Sequence, residues 1–169
     1  GSCNGLTYNG GSQTLASGGT GVTYSNNSGT TATSYTVTVT ANSGYRFSDG
    51  TTSKTLNCSI GKATPTVTLS ATSGSVNKGS TTTFTEKGNV AGSFSNASGN
   101  TSVATVSPAS YSSVAANTEK TVTVTGVSNG TANITVTFTP SDTTNYNTKT
   151  ATYTVTGNLV ATTGSCASG

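Results

Sequence analysis

Histidine is absent from these 169 residues and charge is scarce: seven Lys or Arg and four Asp or Glu, 7% of the chain, leave a net charge of +3. Without histidine the usual general base and the commonest metal ligand are missing, so neither a Ser/His/Asp nor a Cys/His arrangement can be assembled. The few cations are spread along the chain and form no basic stripe, which argues against a nucleic-acid partner, because phosphate binding depends on clustered cations. No apolar run approaches the ~18 residues of a membrane span. No secretory leader is expected at the start, where Gly1-Ser2 reads as a cloning scar or as a cut inside a longer protein.

Other absences narrow the chemistry further. Cys3, Cys58 and Cys166 have no C-x-x-C spacing and make no zinc site. Asp49, Glu86, Glu119 and Asp142 fall in expected turns or at strand ends, and nothing in the sequence brings two together for glycoside hydrolysis. Satisfied or solvated surface roles are expected for all four. The segment Ser141-Asp142-Thr143-Thr144-Asn145 offers a calcium ion only one charge. The expectation is a chain with no catalytic residues, no metal site and no cofactor, and therefore not an enzyme.

What remains is an alternation. Thr-Val-Thr-Val-Thr occupies Thr36–Thr40 and again Thr121–Thr125, with related runs at Ile134–Phe138 and Ala151–Thr156. Successive side chains on a strand point to opposite faces, so this pattern makes one face apolar and the other hydroxylated. Leu, Ile, Val and Phe together make up roughly 15% of the chain, below the ~20% at which disorder becomes a concern. Low net charge and strict period-two order nevertheless favour a folded β-structure with thin cores. No stretch repeats apolar residues at helical spacing.

Turn residues divide the alternation into strands. In the first part, strands are predicted at Leu6–Tyr8, Gln13–Leu15, Val22–Tyr24, Ser34–Ala41, Tyr45–Phe47 and Lys54–Ile60, separated by turns rich in Gly and Asn. Asp49-Gly50 reads as a hairpin turn. Gly61–Pro65 breaks the pattern and reads as a short linker, Pro65 biasing Thr64 towards extended backbone. Beyond it, strands are predicted at Thr66–Ala71, Ser80–Glu86, Gly92–Ser95, Val103–Ser107, Thr121–Thr125, Ala132–Thr139 and Thr150–Thr156, with Pro108–Lys120 as a long connection. The predicted fold is all-β, two Ig-like antiparallel β-sandwich units in tandem: residues 1–61, residues 62–157, and 158–169 as a tail or the start of a further repeat.

Asn100–Ser107, followed by Val122–Val136 with its Gly126-Val127-Ser128-Asn129-Gly130-Thr131-Ala132 turn, resembles the group 2 bacterial immunoglobulin-like domain. Leu6–Leu15, Tyr35–Val39 and Tyr45–Thr52 are similar to the MBG-type β-repeat of bacterial adhesins and phage appendages, and Pro140–Asn147 echoes a loop of such repeats. The resemblance implies a non-catalytic scaffold, spacer or adhesive module outside the cell, on a bacterial surface or a phage particle, with neighbouring repeats as partners. It supplies no catalytic residues.

A Cys3–Cys58 bridge would tie together the ends of the first unit, worth roughly 3–4 kcal/mol by closing that loop. Cys166 is then unpaired or paired outside this chain; Gly164-Ser165-Cys166 repeats Gly1-Ser2-Cys3 and hints at another copy of the unit. Cys3–Cys166, or three free thiols, are the rival arrangements. Glu86-Lys87 and Glu119-Lys120, with abundant Asn, supply the residue types of a Lys–Asn isopeptide bond, although adjacent Glu-Lys pairs are ordinarily solvated turn charges. Tyrosines could stack on cell-surface glycans, and Tyr111 and Tyr146, in predicted loops, are the best placed. A glycan-binding module is thus the alternative to a scaffold.

Overall fold

A computed structural model describes residues 1–162. Among them every regular element is a β-strand, and no helix is long and apolar enough to cross a membrane. The chain divides into two compact units, one made of Gly1–Thr64 with Asp142–Asn147, the other of Pro65–Ser141 with the chain from Thr148 on. The expected tail or further repeat at 158–169, with Cys166, lies largely outside the described residues.

Unit 1 contains β1 (Ser2–Cys3), β2 (Leu6–Thr7), β3 (Gln13–Thr14), β4 (Ala16–Ser17), β5 (Val22–Ser25), β6 (Ser28–Gly29), β7 (Ser34–Ala41) and β8 (Ser53–Gly61). Its main sheet has the order β2-β8-β7-β5, and two ribbons, β1-β4 and β3-β6, complete it. Val37 is buried while Thr36 and Thr40 are exposed, as the alternation requires. Leu15 and Ala16, brought in by the ribbons, pack with Val37, Cys58 and Ile60 of the sheet to form the small core. Tyr45–Phe47 is not a strand. The connection between β7 and β8 turns there instead, held by Phe47 N–H donating to Thr51 C=O and Gly50 N–H to Phe47 C=O, both at 2.9 Å.

Unit 2 contains β9 (Val67–Leu69), β10 (Ser73–Asn77), β11 (Thr81–Gly88), β12 (Gly92–Ser98), β13 (Ala104–Ser107), β14 (Ser110–Val114), β15 (Lys120–Gly126), β16 (Gly130–Pro140) and β17 (Lys149–Asn158). Two sheets result, β10-β17-β16-β12-β14 and β13-β15-β11-β9. The predicted long connection Pro108–Lys120 in fact contains β14. Pairing is not wholly antiparallel either: β10 runs parallel to β17 and β2 parallel to β8. Each parallel pair joins a short strand to the last strand of its unit, giving that strand a second neighbour without a hairpin.

The inner faces supply one core: Val122 and Val124 from β15, Ile134, Val136 and Phe138 from β16, Tyr153 and Val155 from β17. Across the gap the Phe84 ring stacks on Tyr153 with centroids 4.4 Å apart. Phe138 lies over Gly88 and Gly92, where an added Cβ would come within 2.7 and 2.6 Å of its ring, so both positions exclude any side chain.

Because Phe84 is fully buried and its ring spans the two sheets, Phe84→Ala should destabilise unit 2 by about 3–5 kcal/mol. Urea denaturation checks this, and Thr83→Ala, on the exposed face of the same strand, should change stability by less than about 1 kcal/mol.

Candidate functional site

Glu86 and Asn96 occupy core-facing positions of opposite sheets. In β11 the buried residues are Phe84, Glu86 and Gly88, and in β12 they are Gly92, Phe94 and Asn96. Strand phase therefore carries both polar side chains inward with their apolar neighbours. Glu86 is 0% exposed and Asn96 4%, which corrects the expectation of a solvated surface role for Glu86. The other three carboxylates are exposed.

Asn96 Nδ2 donates to Glu86 Oε1 at 3.0 Å and to the Pro108 carbonyl at 3.3 Å. Glu86 Oε2 and Asn96 Oδ1 have no partner. With Glu86 ionised, both orphans are acceptors and neither can help the other. A proton on Oε2 turns it into a donor, and Asn96 Oδ1 is the acceptor in need of one. Burial accordingly pushes the Glu86 carboxyl up to about 7, against the opposing effect of the Asn96 hydrogen bond.

This shift links unit 2 to pH. The fold favours neutral Glu86, so its contribution is fully present below the unfolded value near 4.5 and is lost as pH rises to about 7. Glu86→Gln keeps the shape and carries permanent donors. Its stability should be flat over that interval, while the wild type loses on the order of a few kcal/mol. Thermal or urea unfolding at a series of pH values measures the difference.

In unit 1 a disulfide joins Cys3 to Cys58, with Cα atoms 5.4 Å apart. It links β1 to the buried face of β8 and encloses the other strands of the unit. Reduction, or Cys58→Ser, should lower the stability of unit 1 by about 2–5 kcal/mol, read as a lower denaturation midpoint for that unit.

Segment Asp142–Asn147 is built into the same unit. Asn145 Oδ1 accepts from Ala32 N–H at 2.8 Å, and Asn145 C=O accepts from Ala63 N–H at 2.9 Å. Asn147 N–H donates to Ala63 C=O at 2.8 Å, and Lys62 Nζ to Thr143 C=O at 2.7 Å. The one carboxylate this segment offers to a calcium ion is engaged here: the Asn145 side chain, then backbone N–H groups, hold Asp142 below the usual carboxylate range. Among the described residues no group of three or more His, Cys, Asp and Glu side chains is placed to hold a metal.

The two tyrosines expected to face sugars are partly enclosed. Tyr111 lies in strand β14, not in a loop, packs against the unit 2 core, and its hydroxyl donates to Thr121 C=O at 2.6 Å. Tyr146 is half-buried and meets Tyr8 edge-on at 5.4 Å. The exposed aromatic is Tyr45, 54% accessible. It borders an open cleft of about 210 Å³ lined by Gly19, Gly21, Val22, Arg46 and Phe47 among others. Its ring lies so close over Gly21 that an added Cβ would sit 2.3 Å from it. Tyr45, placed in a strand by its alternation with Phe47, projects from a turn instead, and its position directly after Asn42-Ser43-Gly44 is the signal for that.

No family model and no curated protein matches the chain. Solved structures of a bacterial surface layer protein, SbsC, are similar to it. Its domains 1–6 match at 24% identity and TM-score 0.46 over 78% of this chain and 17% of that one. Domains 4 and 5 match at 26% and 0.44 over 77% and 59%. This chain thus spans less than two thirds of either. With TM-scores below one half, these likenesses leave the function to be read from the chain's own residues.

Proposed function

We propose that this chain is a non-catalytic, extracellular structural module, part of a longer tandem array in which neighbouring repeats are its partners. The observation that carries the reading is the closure of unit 1 by the Cys3–Cys58 disulfide together with the hydrogen-bonded segment Asp142–Asn147. Such bonds persist in oxidising compartments. They also set the path of a tensile load. Force entering near Cys3 passes through the sulfurs to Cys58, and the intervening chain bears none of it. Threonine-rich outer faces with few charges suit a spacer, because they offer little to non-specific ion pairing.

Force spectroscopy on the chain held at both ends tests the load path. Reduction should add roughly 190 Å of extension at about 3.5 Å per residue, for the 55-residue separation of the bridged cysteines. An unchanged length would overturn the load path.

The exposed Tyr45 beside its cleft favours a second reading, a glycan-binding module. Glycan arrays separate the two. The scaffold reading expects no saturable signal, whereas saturable binding lost on Tyr45→Ala, with Tyr111→Ala and Tyr146→Ala as comparisons, replaces it with the second.

A further inference from the structure

We propose that unit 2 holds an intramolecular cross-linking site in which Lys120 Nζ condenses with the Asn96 side-chain amide beside the Glu86 carboxyl, joining the two sheets covalently.

The three residues meet by register. Glu86 and Lys120 are direct partners on β11 and β15, so their side chains share a face. Lys120 alternates in phase with the buried Val122 and Val124 and is itself half-buried at the edge of the core. Lys87, adjacent to Glu86 in sequence, is out of phase with it and directed to the opposite face. The amine of Lys120 lies 5.5 Å from the centroid of the Tyr111 ring. Tyr111 is on β14, the strand beside the one that carries Asn96, and Asn96 N–H donates to the carbonyl of Ala109 on that side. Amine, acid and amide therefore occupy one end of the same sandwich. To react, the amine leaves the ring face and turns inward to the amide carbon.

The pair is arranged for that attack. Glu86 Oε2 and Asn96 Oδ1, the atom that must take up negative charge, both lack a hydrogen-bond partner, and a proton on Oε2 supplies the donor that Oδ1 needs. The amide nitrogen is oriented by Glu86 Oε1 and the Pro108 carbonyl. Lys120 gives its ammonium proton to solvent at the rim, and the neutral amine attacks Cγ, forming a C–N bond. Glu86 relays the proton released by the attacking nitrogen to Nδ2, the old C–N bond breaks, and ammonia departs. Glu86 ends protonated as it began. Amine plus primary amide gives secondary amide plus ammonia, with no oxidant or reductant.

Intact mass spectrometry of the full oxidised chain, held on either side of pH 7, tests the proposal. The expected mass is lower than calculated by one ammonia, beyond the hydrogens lost to the disulfide. Peptide mapping should find a branched peptide joining Lys120 to Asn96. Lys120→Arg keeps the charge and cannot form the bond, so it should show the full mass, as should Glu86→Gln. Succinimide formation at Asn4-Gly5, Asn9-Gly10 or Asn129-Gly130 also releases ammonia. A loss that maps there, or survives Lys120→Arg, overturns the proposal. So does wild-type protein at full mass.

Discussion

A chain with only 30% hydrophobic residues can close two cores only if nearly every apolar side chain on a strand faces inward. Threonine makes this possible. It is β-branched like valine and fits a pleated strand equally well, so the backbone conformation is supported from both faces while the hydroxyl row alone prefers water. Register then becomes the sensitive variable. Sliding β15 by one residue would carry Thr121, Thr123 and Thr125 into the core and turn Val122 and Val124 out. Shape reinforces the chosen register: Phe138 fits only over the bare backbone of Gly88 and Gly92, and Tyr153 meets Phe84 face to face.

Within this arrangement Glu86 and Asn96 are an exception that adds selectivity. Apolar side chains pack adequately against many partners, whereas a buried carboxyl and a buried amide are satisfied best by each other. Their pairing fixes which part of β11 faces which part of β12 across the sandwich. The cost is a dependence on one proton, because ionised Glu86 leaves two oxygens stranded away from water.

Strands with two or more inward valines or aromatics were legible in the sequence, and β7, β15, β16 and β17 fall close to where alternation places them. Strands β10 and β14 were not. Ser73–Asn77 and Ser110–Val114 carry few apolar residues, and they are extended because β17 and β12 offer them free edges. Tyr45-Arg46-Phe47 has the opposite history: its alternation suits a strand, but Gly44 and Gly50 on either side adopt positive φ and turn the chain. For Glu86 charge and phase point opposite ways: the charge argues for the surface, while the two-residue spacing from Phe84 places it on the inner face, and phase prevails. The partners of Asn145 were beyond reach, since Ala32 lies 113 residues earlier and only the folded chain brings them together.

The segment Asp142–Asn147 also has a bearing on the order of assembly. A ribosome delivers Thr64 long before Asn145, so the newly made N-terminal portion waits with Ala32 and Ala63 lacking their final partners. Maturation of that portion is tied to translation of the β16–β17 hairpin, and oxidation of Cys3 and Cys58 can precede it. Genetic excision after Thr64 would yield a bridged but unfinished fragment, whereas a chain extended through Asn147 contains every strut of the first unit.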